Sequence, residues 1–475
     1  MAQVSDTNDV KKTAGACRLE SDSLGKVEVP ETALFGAQTQ RAAENFPVSG
    51  LRLPRRVIRA LALIKKAAAE VNRASGKLDP KLADAICQAA REVAAGQHDN
   101  EFVVDIFQTG SGTSSNMNTN EVIANRAIQI LGGVVGSKKP VHPNDHVNMG
   151  QSSNDVFPTA VHIAATEAIE RDLIPALEAL QAALEAKAKA FDHVVKIGRT
   201  HLMDAVPIRL GQEFSGYAQI LTNTVRRVRS VLPSVSELAL GGTAVGTGLN
   251  SAPDFAPKII AIISEEIAIP LRQAPNLFEA LSARDGLVEA SGALRSAATS
   301  LTKVANDIRW LGSGPRCGIG EILLPDLQPG SSIMPGKVNP VMSEMLLMIC
   351  AQVVGNDAAI GWGGAAGNFE LNVMIPMMAY NLLHSVGILA AGSRLFAARC
   401  VEGIEPNEER CAALIEQSLA MVTALNEAIG YDAAAAIAKE SVKSGKTVRQ
   451  LCLEKNVLPK AELDRLLDAR RMTGS

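Results

Sequence analysis

The stretch Ile169-Glu-Arg-Asp-Leu173-Ile-Pro-Ala-Leu177-Glu-Ala-Leu180-Gln-Ala-Ala-Leu184 decides the fold class. Ile169, Leu173, Leu177, Leu180 and Leu184 return every three or four residues with charged and polar side chains between them, the period of a helix that buries one stripe. Pro175 lies inside the run and is expected to bend it. Outward from this helix, periodic stretches cover about 56–98, 210–232, 276–312, 340–361, 371–400 and 407–428, with no strongly alternating strand run among them. Segments such as Ser291-Gly-Ala-Leu-Arg-Ser-Ala-Ala-Thr299 are apolar or small on more than one face, so they require burial on every side. A helix of about 40 residues spans about 60 Å, more than a compact monomer needs, so the bundles are expected to be shared between subunits. Near the start, Gly25–Pro30 reads as a short strand and Gly36–Arg41 as a polar loop.

Composition supports an aliphatic, helical core. Of 475 residues, 47% are hydrophobic but only 3% aromatic, and alanine is used heavily. The length suggests about three domains. A net charge of −3, from 50 acidic and 47 basic residues, lacks the basic footprint that duplex nucleic acid demands, so no nucleic-acid partner is expected. No segment carries about 18 uninterrupted apolar residues, so no membrane span is expected, and residues 1–16, with Asp6 and Asp9, carry no apolar stretch of signal-peptide length. Seven scattered cysteines without a CxxC pair suit reduced thiols, and the expected location is cytoplasmic.

Four polar islands interrupt the helices. Gln108-Thr-Gly-Ser-Gly-Thr-Ser-Ser-Asn-Met-Asn118 joins hydroxyls and glycines to a helix start, which reads either as an anion-binding nest or as a long capping turn. It departs from the dinucleotide fingerprint because Ser115 stands where a third glycine belongs. Val141-His-Pro-Asn-Asp-His-Val-Asn148 runs into Gln151-Ser-Ser-Asn-Asp155, where Ser153 and Asn154 individually suit helix caps. His142, Asp145 and His146 raise a metal site, but the HExxH order is absent and Pro143 breaks an ordinary helix, so no metal is expected. Gly198-Arg-Thr-His-Leu202 places His201, either a satisfied core residue or a proton-transfer group, between helical segments. Gly330-Ser-Ser-Ile-Met-Pro-Gly-Lys-Val-Asn-Pro340 differs from a phosphate loop in glycine spacing and in having Val338 where Ser or Thr would hold magnesium, which disfavours ATP chemistry.

This last segment matches the signature of the fumarase/aspartase superfamily. The chain also resembles class II fumarases nearly end to end, through Gly36–Arg41, Thr109–Thr113, His142–Asp145, Gly198–Leu202 and Gly367-Asn-Phe-Glu-Leu-Asn372, all in family order. His201, Gly336 and Gly367-Asn-Phe-Glu370 separate it from aspartases, the alternative within the superfamily, which usually carry other residues there. Leu34-Phe35 and Met149-Gly150 depart from the commoner family residues.

The resemblance implies an all-α fold of three domains, 1–149, 150–407 and a small C-terminal 408–475, with five long central helices per chain forming a twenty-helix homotetramer core. It implies active sites shared by three subunits, a small dicarboxylate substrate, and hydration of fumarate to (S)-malate through an aci-carboxylate without metal or organic cofactor. Ser331 is then the base, His201 the group handling the departing hydroxyl and Glu344 its carboxylate partner. Implied substrate-binding positions are Ser111, Gly112 and Thr113, then Ser152, Ser153 and Asn154, then Thr200, and on the signature loop Ser332, Lys337, Val338 and Asn339. His142, Pro143, Asn144 and Asp145 match a second anion site.

Overall fold

The computed structural model describes residues 16–474, so Asp6 and Asp9 lie outside the described residues. The described chain is mainly helical, with only four two-stranded sheets, as the periodicity requires. It divides into two compact units, one of residues 16–168, 231–291 and 356–384, the other of 169–230, 292–355 and 385–474. The division falls inside the helices Asp285–Leu311, Val341–Gly364 and Ile375–Arg399.

In the first unit, the antiparallel strands Cys17–Asp22 and Gly25–Pro30 precede the helices. Gly36–Arg41, expected as a loop, instead opens the helix Ala37–Asn45. Its N-cap, Gly36, has no side chain, so the orphan amides of the first turn are met from afar. Glu121 accepts from Gly36 N at 2.9 Å, Gln38 N at 3.0 Å, Thr39 N at 3.0 Å and Thr39 Oγ1 at 2.6 Å, and Glu20 accepts from Ala37 N at 3.0 Å. No local signal could show these caps, because one lies 85 positions away.

The helix Arg55–Ala74 packs against Pro80–Ala94, Ser153–Ala168 and Phe255–Ile267. Small residues such as Ala60, Ala67 and Ala68, all essentially buried, let these neighbours approach closely. Pro80–Ala94 starts where Asp79 accepts from Lys81 N and Leu82 N, with proline in the first turn, where its missing N–H costs nothing.

In the second unit the 169–190 run is helical throughout, but a π turn over Ile169–Leu173 precedes the α-helix Ile174–Ala190. Pro175 lacks an amide hydrogen and crowds the carbonyl four residues earlier, which a widened turn relieves. Ile174–Ala190 packs along Leu210–Ser230, and between them Val195–Thr200 and Met203–Arg209 form an antiparallel hairpin that periodicity did not announce.

The expected helix over 407–428 stops at Gln417. Ser418 is extended, its hydroxyl caps Ala420 N at 3.1 Å, and a 3-10 segment follows. Residues 415–467 bury a small core around Leu425, Leu451, Cys452 and Leu463, with Val195 of the hairpin packed against it. All seven cysteines are free thiols, five of them buried, and burial pushes Cys400 and Cys411 up to about 12, which makes them packing groups rather than nucleophiles.

Two helices, Val341–Gly364 and Ile375–Gly403, are long and apolar enough to cross a membrane by length and composition. Polar residues interrupt both: Asn356 of the first donates to Asn381 O of the second and lies 3.3 Å from His384 Nδ1. In Ile375–Gly403, 61% of the apolar window is buried, as in a core helix. Val341–Gly364 buries only 28% and leaves Met348, Val354 and Trp362 on the surface of the chain, contrary to burial on every side.

The helices Pro80–Ala94 and Thr113–Ile130 are clamped by Arg126, which donates to both oxygens of Glu92 at 2.5 and 3.2 Å, with His98 at 3.1 Å. The Arg126 guanidinium holds the Glu92 carboxyl at about 2 against the opposing effect of burial. A depressed carboxyl contributes stability fully above its unfolded value, near 4.3, and loses it as pH falls through the folded value. Glu92→Gln should therefore cost about 1–2 kcal/mol at pH 7 after solvent screening. Denaturant midpoints measured from pH 6 downward should show the gap between wild type and variant closing between about pH 4.5 and about pH 2.

Candidate active site

The first polar island is a turn that only glycine permits. Gly112 caps the helix Thr113–Ile130 at φ 77°, and a Cβ there would lie 2.2 Å from the Phe157 ring. A Cβ on Gly110 would meet Val373 O at 1.7 Å, and the Gly110 carbonyl accepts from Ile375 N at 3.0 Å. Gln108 Oε1 closes the turn by accepting from Ser115 N and Ser115 Oγ. The segment is thus both capping turn and nest. Ser111 Oγ lies 2.8 Å from Thr113 Oγ1, which lies 2.7 Å from Ser153 Oγ, so three hydroxyls from two islands form one chain.

Ser153 begins the helix Ser153–Ala168. Ser152 Oγ accepts from Asn154 N at 3.2 Å, and Asn154 Nδ2 donates to Ala244 O at 2.9 Å. Asp155 is fully buried and accepts from Ser152 N, Gly241 N and Thr243 N, each at 3.0 Å. Burial pushes its carboxyl upward, while those amides pull it back.

His142–Val147 forms a separate cluster in the same unit. Pro143 opens a π turn and is buried, while Asn144 and Asp145 are exposed. His142 Nδ1 accepts from Asn144 N at 3.2 Å and Asp145 N at 3.1 Å, and His146 Nδ1 accepts from His142 N at 2.9 Å, so both imidazoles serve the turn. Among the described residues no group of three or more His, Cys, Asp or Glu side chains could hold a metal ion.

The second unit holds the remaining predicted residues. Thr200 ends a strand, and His201 and Leu202 form the hairpin tip in left-handed conformation, φ 56° and 60°, both exposed. The hairpin is anchored by buried charge: Arg199 donates to both oxygens of Glu321 at 2.7 and 3.1 Å, and Lys196 lies 3.2 Å from Glu213 and 3.3 Å from Glu321. Lys196 and Glu321 are 1% and 0% exposed, so each charge depends on its partner.

The signature loop closes on itself. Gly330 N donates to Lys337 O at 2.9 Å, and Asn339 Nδ2 donates to Gly330 O at 2.8 Å. Lys337 Nζ donates to Asn339 Oδ1 at 2.8 Å. Ser331 Oγ accepts from Ile333 N at 3.3 Å and Met334 N at 3.0 Å, two donors that would stabilise negative charge on that oxygen. Ser332, Lys337 and Val338 are exposed. Glu344, in the first turn of Val341–Gly364, is exposed too, and among the described residues no hydrogen bond or ion pair joins it to His201.

The single chain therefore assembles Ser111, Thr113 and Ser153 directly, and the signature loop internally, but not His201 with Glu344. Sequence reasoning missed Lys65 and gave no individual role to Asn116, Asn120, Asn148 and Gln151; the five form a hydrogen-bonded group beside the Ser152–Asn154 turn. The available signal was the run of asparagines at 116, 118 and 120 inside a helix, all buried.

Comparison with known proteins agrees over nearly the whole chain. The lyase family model matches residues 25–355, and the model described as fumarase C C-terminus matches 421–474. A class II fumarate hydratase of Mycobacterium tuberculosis is 59% identical over 96% of each chain, and one of Corynebacterium glutamicum is 56% identical with the same coverage. A crystal structure of recombinant class II fumarase from Schistosoma mansoni matches with a TM-score of 0.92 at 41% identity, covering 96% of this chain and 99% of that one. The fumarate lyase:delta crystallin of Brucella melitensis, in a structure bound to cobalt, matches with a TM-score of 0.92 at 46% identity, covering 97% and 100%. With both family models matched and relatives this similar along almost its full length, the chain belongs to the class II fumarase family of lyases.

Proposed function

We propose that this chain catalyses the reversible hydration of fumarate to (S)-malate. The observation that carries the reading is the 59% identity, over 96% of both chains, to a class II fumarate hydratase. The site chemistry supports it, because the islands offer neutral donors for carboxylates and an oxygen placed to take a proton.

In the dehydration direction, the Ser331 oxygen accepts the C3 proton. The C–H electron pair moves into the adjacent carboxylate, giving an aci-carboxylate whose added negative charge is the main barrier. The amides of Ile333 and Met334 favour the anionic Ser331 oxygen, and water exclusion on loop closure strengthens them. Lys337, Asn339, Ser332 and the amide of Val338 stabilise the aci-carboxylate. His201 then delivers a proton to the departing hydroxyl, which leaves as water, with Glu344 orienting and charging the imidazole. Ser111, Gly112, Thr113, Ser152, Ser153, Asn154 and Thr200 hold the substrate carboxylates, and His142, Pro143, Asn144 and Asp145 form a second anion site. This acid–base route uses no metal or organic cofactor.

Assembly belongs to the same proposal: a homotetramer in which three subunits contribute to each site, bringing Glu344 to a neighbour's imidazole. The apolar surface of Val341–Gly364, with Met348 68% and Trp362 79% exposed on the single chain, supports burial between subunits. The small core of 415–467, against which Val195 also packs, supports a small C-terminal domain at 408–475, beside an N-terminal domain at 1–149 and a central one at 150–407. The near-neutral charge and buried free thiols support a cytoplasmic location without nucleic-acid or membrane partners.

Incubation with fumarate should yield malate, whereas ammonia release from aspartate without malate formation would overturn the reading. Ser331→Ala should lower kcat by at least about a hundredfold while the oligomer persists by light scattering, and near wild-type turnover would remove Ser331 as the base. Glu344→Gln should shift the high-pH limb of malate dehydration toward lower pH, because an imidazolium without its carboxylate releases its proton more readily. A pH–rate profile that does not move would break the Glu344–His201 pairing.

A further inference from the structure

Lys65 lies at the middle of the helix Arg55–Ala74 and is 0% exposed. Its ammonium donates to Asn148 Oδ1 at 2.8 Å and Gln151 Oε1 at 3.0 Å. Asn148 Oδ1 also accepts from Asn116 Nδ2 at 3.3 Å and Asn120 Nδ2 at 3.2 Å, and Asn148 Nδ2 donates to Gln151 O at 3.1 Å. Asn72, two turns along from Lys65, donates to Met149 O at 3.2 Å. The turn 148–151 is thus held from one side by two residues of a single helix, and it leads directly into Ser152, Ser153 and Asn154.

Simple packing does not explain a lysine at this place. An ammonium removed from water costs several kcal/mol unless it is compensated. Here it has two neutral acceptors and, as counter-charge, the buried Asp155, which attracts it without a direct contact. Burial pulls the Lys65 ammonium down to about 7, a measure of how poorly it is compensated. The amide oxygens of Asn116 and Asn120 are buried without a partner in the same cluster. A leucine or methionine would fill the volume without burying a charge.

We propose that Lys65 is a positioning residue that acts through Asn148 and Gln151. With the Asp155 carboxylate on Ser152 N, it sets the pitch of the Ser152–Asn154 turn so that its hydroxyls and amide meet a substrate carboxylate in one geometry. This inference rests on the reading of Ser153 and Asn154 as substrate ligands.

The test uses the full-length oligomer, with kcat and KM for fumarate and malate and the inhibition constant of succinate, a dicarboxylate that cannot react. Lys65→Met should raise KM and the succinate constant about tenfold while kcat falls less than about threefold, because the binding turn loosens and the groups on the signature loop do not change. An unchanged KM and succinate constant, with only the thermal midpoint or kcat lowered, would overturn the proposal. If Lys65→Met alone does not fold, Gln151→Ala removes an acceptor through which Lys65 acts and leaves Asp155 in place. This variant should also raise KM and the succinate constant, and wild-type values in it would overturn the proposal. Asn154→Ala serves as the control: it should raise KM by itself, and if it does not, the assignment of this turn as the substrate site fails, and the role of Lys65 with it.

Discussion

The Asp155 carboxylate, 1% exposed, accepts the backbone amides of Ser152, Gly241 and Thr243 and thereby joins the proposed substrate-binding turn to a segment 86 residues later. A charge buried this deeply is stable only while its donors stay in place, so the turn and the segment cannot move independently. The same device recurs elsewhere. Glu121 caps the helix Ala37–Asn45 from across the first unit, and Glu321 anchors the hairpin that carries His201. In each case a buried carboxylate, rather than a continuous sheet, ties a turn, a helix start or a hairpin to the helical frame. Helices satisfy their own backbone groups, whereas the loops between them need such partners.

The aliphatic core makes this arrangement possible. Alanine-rich helices such as Arg55–Ala74 allow close approach and leave few places where an aromatic ring could fit, in keeping with the 3% aromatic content. Polar residues inside such a core are conspicuous and need an account. Asn116, Asn118, Asn120 and Glu121 are all buried on one helix: Asn116 and Asn120 donate to Asn148 beside the proposed site, Asn118 donates to Glu101 O, and Glu121 caps the helix Ala37–Asn45.

The signature loop behaves differently. Its hydrogen bonds are local, from Gly330 to Lys337 and Asn339, and most of its side chains face outward. Among the described residues, the Lys337 ammonium is bonded only within the loop, to Asn339, so its charge is held in place without being buried. A preformed but exposed loop suits the proposed role of closing over a small anion, since donors ordered beforehand need little reorganisation.

Helical class, the positions of the long helices and the polar islands were legible in the sequence, because a 3.6-residue period and short donor-rich segments are local properties. The hairpin over 195–209, the helix at Ala37–Asn45 and the break after Gln417 were not, because their hydrogen bonds depend on distant partners or on a single extended residue. The sequence by itself determined which residue types stand at each island and which family they signal. Only the tertiary structure decided that Ser111, Thr113 and Ser153 form one hydroxyl chain and that Lys65, inside a helical run, is fully buried. The reason is physical: periodicity encodes which face of a helix is buried, but the partner of a buried charge is chosen by chain segments that meet only when the protein folds.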